Sequence, residues 1–511
     1  MLWLALHLPL LPLEACCALL PEAQRAGPVA LTAEHRISHV NAAAAARGVK
    51  PGMKRATALA LAADLLLGEA SAPREQAAQL ALAHAALAFT PAVALHGPDV
   101  VLLEVQGSLR LFGGLRRLLA RLNEAIAPLG HAVQRAAAPT ALGAALLARW
   151  APAGRGDPLF GPHATRLPAL QALLDDAPVW LLGPGREHWE ALQGMGLQRL
   201  SDLRHLPRAG LARRFGAALL DDIDRAFGRR PDPQIWIELP ERFDTRLELF
   251  ALAENAEQVL AAAGVLLARL VAWAQARCAR IAAFTLTMHH EPRHGAPVPA
   301  TALRIELAEP TLAAAHLQLL LRERLARIEL PAPTLELALH CHELKAGAAA
   351  SGELFPTRRS EGEGLVRLLE RLRARLGDER VLRLQAVADH RPGRASRGVP
   401  ALGPGEGAAP PTAAQQALPL HRPAFLLPEP LPLAERDALP LLDGRPLLLL
   451  SGPERVETGW WDGAPEARDY FIAECADGSL VWLWRGRFPA VPAAPAAPPA
   501  RAQWFLQGRF A

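Results

Sequence analysis

The sequence predicts a multidomain protein of α/β and α+β modules with a C-terminal extension, and three observations carry that prediction. At 511 residues the chain is too long for one hydrophobic core and long enough for roughly three to five small domains. Half of it is apolar (51%), so most of it can fold. Its apolar pattern also changes along its length, from alternating strands and helices, through short helices, to period-two strands around a long helix.

Residues 2–8 read as a strand apolar on both faces, as in the middle of a covered sheet. The opening MLWLALHLPLLPLEACCALL is as apolar as a signal peptide. It lacks a basic leading region, and Pro9, Pro12 and Glu14 interrupt it, so a buried strand entering a turn is expected. Ala-rich helices follow at 41–47 and 55–66 around a Gly48–Gly52 turn, then a helix at 74–90 and a buried strand at 100–105. A helix at 113–127, a strand at 131–137 and a helix at 139–149 complete an α/β sheet domain.

Residues 165–228 read as short helices broken by Gly and Pro. From 241 to 345 the order is strand, long helix, strand, strand, helix, strand, an α+β module. Its long helix, near 253–277, carries Val259, Leu260, Ala263, Leu266, Leu267 and Leu270 at helical spacing. The pattern lapses at 345–362. An amphipathic helix then places Leu365, Leu368, Leu369, Leu372 and Leu376 on one face, with Arg367, Arg371 and Arg375 elsewhere. Residues 389–436 are rich in Pro, Gly and Ala and read as a flexible linker. The tail is Trp-rich and strand-like, with a Pro/Ala run at 489–500 as a loop insertion. The expected domains are therefore 1–164, 165–235, 241–345, 346–436 and 437–511.

Charge and cysteine usage narrow the class. The 55 Lys+Arg and 51 Asp+Glu leave a net charge of +4, so local basic faces matter more than the total for binding nucleic acid. Cys16, Cys17, Cys278, Cys341 and Cys475 show no paired CxxC spacing, which argues against a disulfide framework or zinc site and for a reducing cytoplasm. His340-Cys341-His342 could suggest a metal; the alternation of Leu335, Leu337, Leu339 and Cys341 makes it a strand. No other apolar stretch of membrane-spanning length is free of charge and proline, so a soluble chain without a membrane partner is expected.

Several segments, read in order, resemble the Y-family DNA polymerases. The family's opening strand bears Asp-x-Asp; here that stretch is Leu4-Ala5-Leu6-His7, running on to Leu13-Glu14. Its fingers segment resembles Ala42-Ala43-Ala44-Ala45-Ala46-Arg47-Gly48-Val49-Lys50-Pro51-Gly52-Met53. Its second acidic motif, with the strand and Gly that follow, resembles Gly97-Pro98-Asp99-Val100 through Gly107. Leu182-Gly183-Pro184-Gly185, Gly194-Met195-Gly196-Leu197 and Ser201-Asp202-Leu203 look like the thumb, and 241–345 matches the little finger in element order. Gly452-Pro453-Glu454-Arg455, Gly459-Trp460-Trp461-Asp462, Arg468-Asp469-Tyr470-Phe471 and Trp504-Phe505-Leu506-Gln507-Gly508 resemble the tail of the ImuB branch of this superfamily. The resemblance implies palm, fingers, thumb and little finger with a C-terminal extension, catalytically silent and without cofactor. It also implies four partners: DNA, the sliding clamp, the RecA-like ImuA protein and an error-prone C-family DNA polymerase.

Nucleotidyl transfer needs two divalent cations held by clustered carboxylates. The family's first Asp falls on Ala5, its partner on His7 and the Glu of the second motif on Val100; Asp99 alone keeps its carboxylate. The fingers Tyr and Arg that would touch a triphosphate fall on Ala42 and Ala45, which removes a charge-assisted grip. Asp99 also fits a plain turn residue after Gly-Pro. The alternative, an active lesion-bypass polymerase with displaced ligands, would need Glu14 or Glu104 to supply carboxylates.

Binding functions survive this loss. Gly183-Pro184-Gly185 resembles the hairpin of a helix-hairpin-helix, where backbone N–H groups meet a DNA phosphate. Arg186, Arg208, Arg213 and Arg214 are the nearby phosphate-contact candidates; the bland alternative is that they solvate helix faces. Clamp-binding peptides end in Leu plus an aromatic. Leu354-Phe355 fits without the leading Gln, and Gln416-Ala417-Leu418-Pro419-Leu420 keeps the Gln without the aromatic. Trp460, Trp461, Tyr470, Trp482, Trp484 and Trp504 can serve as a partner surface or as a small core.

Overall fold

The computed structural model describes residues 1–18, 20, 24, 26–150, 159, 161–293, 295–346, 358–401, 422–423, 425–487 and 503–510. The chain divides into two compact units, Met1–Arg375 and Leu376–Ala511. The first begins with β1 (Trp3–His7), α1 (Leu11–Cys17), β2 (Val29–Ala33), β3 (Arg36–Val40), α2 (Ala42–Ala46), α3 (Arg55–Leu61) and β4 (Leu66–Glu69). It continues with α4 (Ala72–Leu87), β5 (Val93–His96), β6 (Val100–Glu104), α5 (Leu109–Phe112), α6 (Leu115–Ile126), β7 (Gln134–Ala138) and α7 (Ala141–Trp150).

The principal sheet has the order β5-β6-β1-β7, and every neighbouring pair is antiparallel. Both faces are covered, which is why β1 and β6 read as unbroken apolar runs rather than alternating ones. Trp3, Ala5, Val100, Leu102, Ala136 and Ala138 pack in one core with α7. Leu4, Leu6, Val101, Leu103 and Ala137 face the opposite way, into a core with α4 and α6. After β1 the chain makes the expected turn and then a helix, α1, with Pro12 in its first turn, where the missing N–H costs nothing.

A second sheet, β3-β2-β4, carries the fingers segment. Its strands are absent from the sequence reading. They are only four or five residues long, and the β2–β3 turn uses Glu34 and His35 at φ 49° and 64° instead of an Asn-Gly signal. Asn41 organises the segment: its Oδ1 accepts from Val29 N and Ala44 N, and its Nδ2 donates to Gly27 O.

Residues 165–228 are helical as read: α8 (Leu167–Asp175), α9 (Gly183–Glu187), α10 (Trp189–Gly194), α11 (Leu200–Arg204), α12 (Arg208–Phe215) and α13 (Ala217–Ala226). The module beyond them has the expected order: β8 (Phe243–Ala253), α14 (Ala256–Ala276), β9 (Ala279–His290), β10 (Thr301–Thr311), α15 (Ala314–Leu325) and β11 (Thr334–Ala346). Its antiparallel sheet runs β10-β9-β11-β8. His340 and Cys341 lie in β11 as expected, with the Cys341 thiol buried against Ala283 O. By length and composition α14 could cross a membrane; here it is the module's central helix, with Trp273 buried and its Nε1 donating to Pro240 O at 2.9 Å.

Helix α16 (Arg358–Leu376) departs from its sequence reading. Leu365, Leu368 and Leu376 are exposed, whereas Val366, Glu370 and Ala374 form the buried stripe. Glu370 decides the orientation. Its Oε1 accepts from Ala308 N at 2.6 Å and its Oε2 bonds His316 Nε2 at 2.7 Å, satisfying a strand edge that a leucine could not.

The second unit contains the hairpin β12 (Leu382–Ala386) and β13 (Ser396–Pro400). Strands β14 (Phe425–Arg436), β15 (Leu439–Leu442), β16 (Arg445–Pro446), β17 (Leu448–Thr458), β18 (Glu466–Glu474), β19 (Leu480–Gly486) and β20 (Trp504–Arg509) follow. The latter seven form one sheet in the order β16-β15-β14-β20-β19-β18-β17. β13 and β14 fall within the stretch read as a linker: ladder hydrogen bonds outweigh its Pro and Gly content. Tyr470, Trp482, Trp484 and Trp504 are core residues, with Tyr470 stacked on Trp482 and Trp484 on Phe505. Trp460 and Trp461 are exposed. Leu354, Phe355, the 416–420 peptide and the 489–500 run lie outside the described residues.

Candidate functional site

The principal sheet brings together the positions that the two acidic motifs share. Trp3, Ala5 and His7 alternate onto one face of β1. The antiparallel register sets His7 opposite Val100 on one side and Gln134 on the other. Asp99 immediately precedes β6, and its carbonyl accepts from Leu8 N at 2.8 Å. Thus Ala5, His7, Asp99 and Val100 converge from two strands. Ala5 and Val100 are fully buried in the core against α7.

The Asp99 carboxylate is already engaged. Arg149 Nη2, from the last turn of α7, donates to Oδ1 at 2.5 Å, and His7 Nε2 stands 3.2 Å from Oδ2. His7 Nδ1 meets Gln134 Oε1 at 3.0 Å, so a chain of contacts Arg149–Asp99–His7–Gln134 joins α7 to β6, β1 and β7. The turn is built to admit the guanidinium. Gly97 sits at φ +65°, and a Cβ there would lie 2.9 Å from Arg149 Nη2. Arg149 Nη2 also donates to His96 O, and Gln79 Nε2 to the carbonyls of Gly97 and Val100.

Electrostatics follow from these contacts. Burial works to raise the Asp99 pKa, but hydrogen bonds from His7 and Arg149 and the Arg149 charge overcome it and hold the carboxyl well below the usual range. Burial, with the Arg149 charge beside it, pushes His96 below the ordinary histidine value. A carboxylate so held remains charged and carries a resident counter-ion. A hard cation would have to displace a guanidinium and would find Ala and Val at the adjoining positions. Among the described residues no three His, Cys, Asp or Glu side chains gather so as to hold a metal ion.

The two carboxylates that the alternative reading needs are occupied elsewhere. Glu14 on α1 accepts from Ala132 N at 3.0 Å and pairs with His131. Glu104 ends β6 opposite Trp3, accepting from Leu2 N and Gln106 N. In the fingers, Ala42 and Ala45 lie exposed on α2, where neither methyl group offers a charge or hydrogen bond to a phosphate.

In the thumb-like region the structure corrects the hairpin. Gly183, Pro184 and Gly185 are the first turn of α9, and Leu182 is the link from the 3₁₀ turn Val179–Leu181. Gly185 is required by packing: a Cβ would stand 2.2 Å from Val179 O. Arg186 Nε reaches Trp180 O at 3.4 Å. Arg208 is bound by both oxygens of Asp224, which removes it as an uncommitted phosphate contact. Arg213 and Arg214 stay exposed on α12. Arg149 and Gln134 are the site residues that sequence reasoning missed. The available signal was a lone charge in the otherwise apolar run Ala141–Trp150.

The impB/mucB/samB family profile matches residues 14–149, most of the two sheets just described. A Y-family DNA polymerase chimera of Dbh and Dpo4 and DinB from Sulfolobus solfataricus are structurally similar at TM-scores of 0.39 and 0.37. They share 16% and 15% identity with this chain, and each match covers 67% of this chain and 98% of the other. Residues 14–149 thus match the impB/mucB/samB family, and a C-terminal extension follows the helical and α+β modules. Protein ImuB of Caulobacter vibrioides, in two strains, is 30% identical over 459 residues, 86% of this chain and 96% of that protein. The chain belongs to the ImuB family.

Proposed function

We propose that this chain is a non-catalytic Y-family polymerase homologue that acts as an adaptor in damage-induced mutagenesis and translesion synthesis. The observation that carries the reading is the Asp99 carboxylate, paired with Arg149 and His7 where Ala5 and Val100 replace its partner acids. Two-metal phosphoryl transfer has no ligand set there. The adaptor holds DNA without sequence preference through its polymerase-like domains, Arg213 and Arg214 included. It engages the sliding clamp through Leu354-Phe355 and recruits a RecA-like ImuA partner and an error-prone C-family polymerase, with the tail as the docking region, in the cytoplasm at the nucleoid. Exposed Trp460 and Trp461 support a partner surface on the tail, since exposed aromatics often anchor interfaces.

The test is primer extension on a labelled primer-template with magnesium and then manganese, beside a gel shift with the same protein. DNA binding without extension is expected. Extension abolished by Asp99→Ala would show an enzyme and overturn the reading.

A further inference from the structure

The fingers present a cationic face that the site above does not use. The chain has three lysines, Lys50, Lys54 and Lys345, and two of them flank one turn. Lys50, Lys54, Arg55 and Arg36 are all exposed, and none has a carboxylate partner among the described residues. The thumb-like helices are mixed: Arg199, Arg204, Arg208, Arg225 and Arg230 each pair with an Asp, whereas Arg213 and Arg214 stay exposed. The acid nearest in sequence on α3's far side, Asp64, is taken by Arg47.

The backbone beneath these cations is tied down. Arg36 and Lys54 are bridge partners, Ile37 N donates to Met53 O at 2.8 Å, and Gly52 N donates to Ile37 O at 2.7 Å. Arg36 Nη1 donates to Gly52 O at 2.9 Å, and among the described residues no acid pairs with it. Four like charges on this hydrogen-bonded segment repel one another, and a polyanion relieves that repulsion. A second exposed basic group, Arg110, Arg116, Arg117 and Arg121, lies on the helices at 109–126 and provides a comparison for the fingers cations.

We propose that the fingers residues Arg36, Lys50, Lys54 and Arg55 bind the phosphodiester backbone of nucleic acid and add a DNA contact to that of the thumb-like helices. The assignment rests on the DNA-holding part of the proposed function. The experiment is fluorescence anisotropy with full-length protein and a labelled single-stranded oligonucleotide over a range of salt. For K50A/K54A/R55A, Kd should rise about tenfold or more, and the slope of log K against log salt should fall by about 2, at ~0.7 per lost phosphate contact. The charge-preserving K50R/K54R/R55K and the comparison variant R116A/R117A should both bind as wild type does. An unchanged K50A/K54A/R55A, or an equal loss in R116A/R117A, overturns the fingers assignment while DNA binding stands. Wild-type protein that binds no oligonucleotide at ~50 mM salt overturns the DNA-holding reading as well.

Discussion

Removing the Asp99 carboxylate should weaken the principal sheet domain. In Asp99→Ala, Arg149 and His7 keep their largely buried positions and lose the group both bond. A hydrogen bond to a charged group is worth about 1.5–3 kcal/mol net, and breaking a fully buried pair costs about 3–5 kcal/mol. The Asp99 side chain is 31% exposed, so water replaces part of what is lost, and the expected cost is about 2–3 kcal/mol. At ~2–4 °C per kcal/mol for a large domain, the melting temperature should fall by ~4–12 °C. The double variant Asp99→Ala/Arg149→Ala should be less destabilised than the sum of the single variants by ~1–3 kcal/mol, because one interaction is counted twice. The assay is thermal unfolding by circular dichroism, repeated with added magnesium. The pH dependence has a fixed sign: the folded-state pKa is depressed, so this stabilisation is complete above the ordinary carboxylate value and is lost as pH falls through the folded value. If magnesium raises the melting temperature of wild type and not of Asp99→Ala, a metal binds at Asp99. The ion-pair account would then be refuted.

Three further outcomes follow from particular contacts. Gly185→Ala should destabilise the helices around α9 by about 1–3 kcal/mol, seen in urea unfolding, because the new methyl meets Val179 O. Glu370→Ala should free Ala308 N and His316 and speed hydrogen exchange across Val366–Ala374 by at least about tenfold, the equivalent of ~1.4 kcal/mol. Leu354→Ala/Phe355→Ala should abolish clamp binding in a pull-down while Gln416→Ala leaves it intact; the reverse result assigns the clamp to the linker peptide.

Much of the architecture was legible because it rests on local pattern. The order of elements from 241 to 345 emerges from period-two strands and a long apolar helix, and residues such as Leu266 and Leu270 lie in the predicted core. The identities Ala5 and Val100 were equally legible, since identity at a position needs no coordinates. The fingers strands were not, because short strands and a Glu-His turn carry no distinctive signal. Nor was the orientation of α16, where a leucine stripe promises burial and a glutamate takes it.

Sequence alone thus determined which chemical groups stand at each motif. Only the tertiary structure decided what the remaining groups do. Asp99 and Arg149 are 50 residues apart, and His7 and Gln134 are 127 apart. No local periodicity links them; strand register and the packing of α7 bring them together. Ionic and hydrogen-bonding contacts act over a few ångströms of space, whatever the distance along the chain. A lone carboxylate in the sequence therefore becomes, in the fold, a member of a closed internal network.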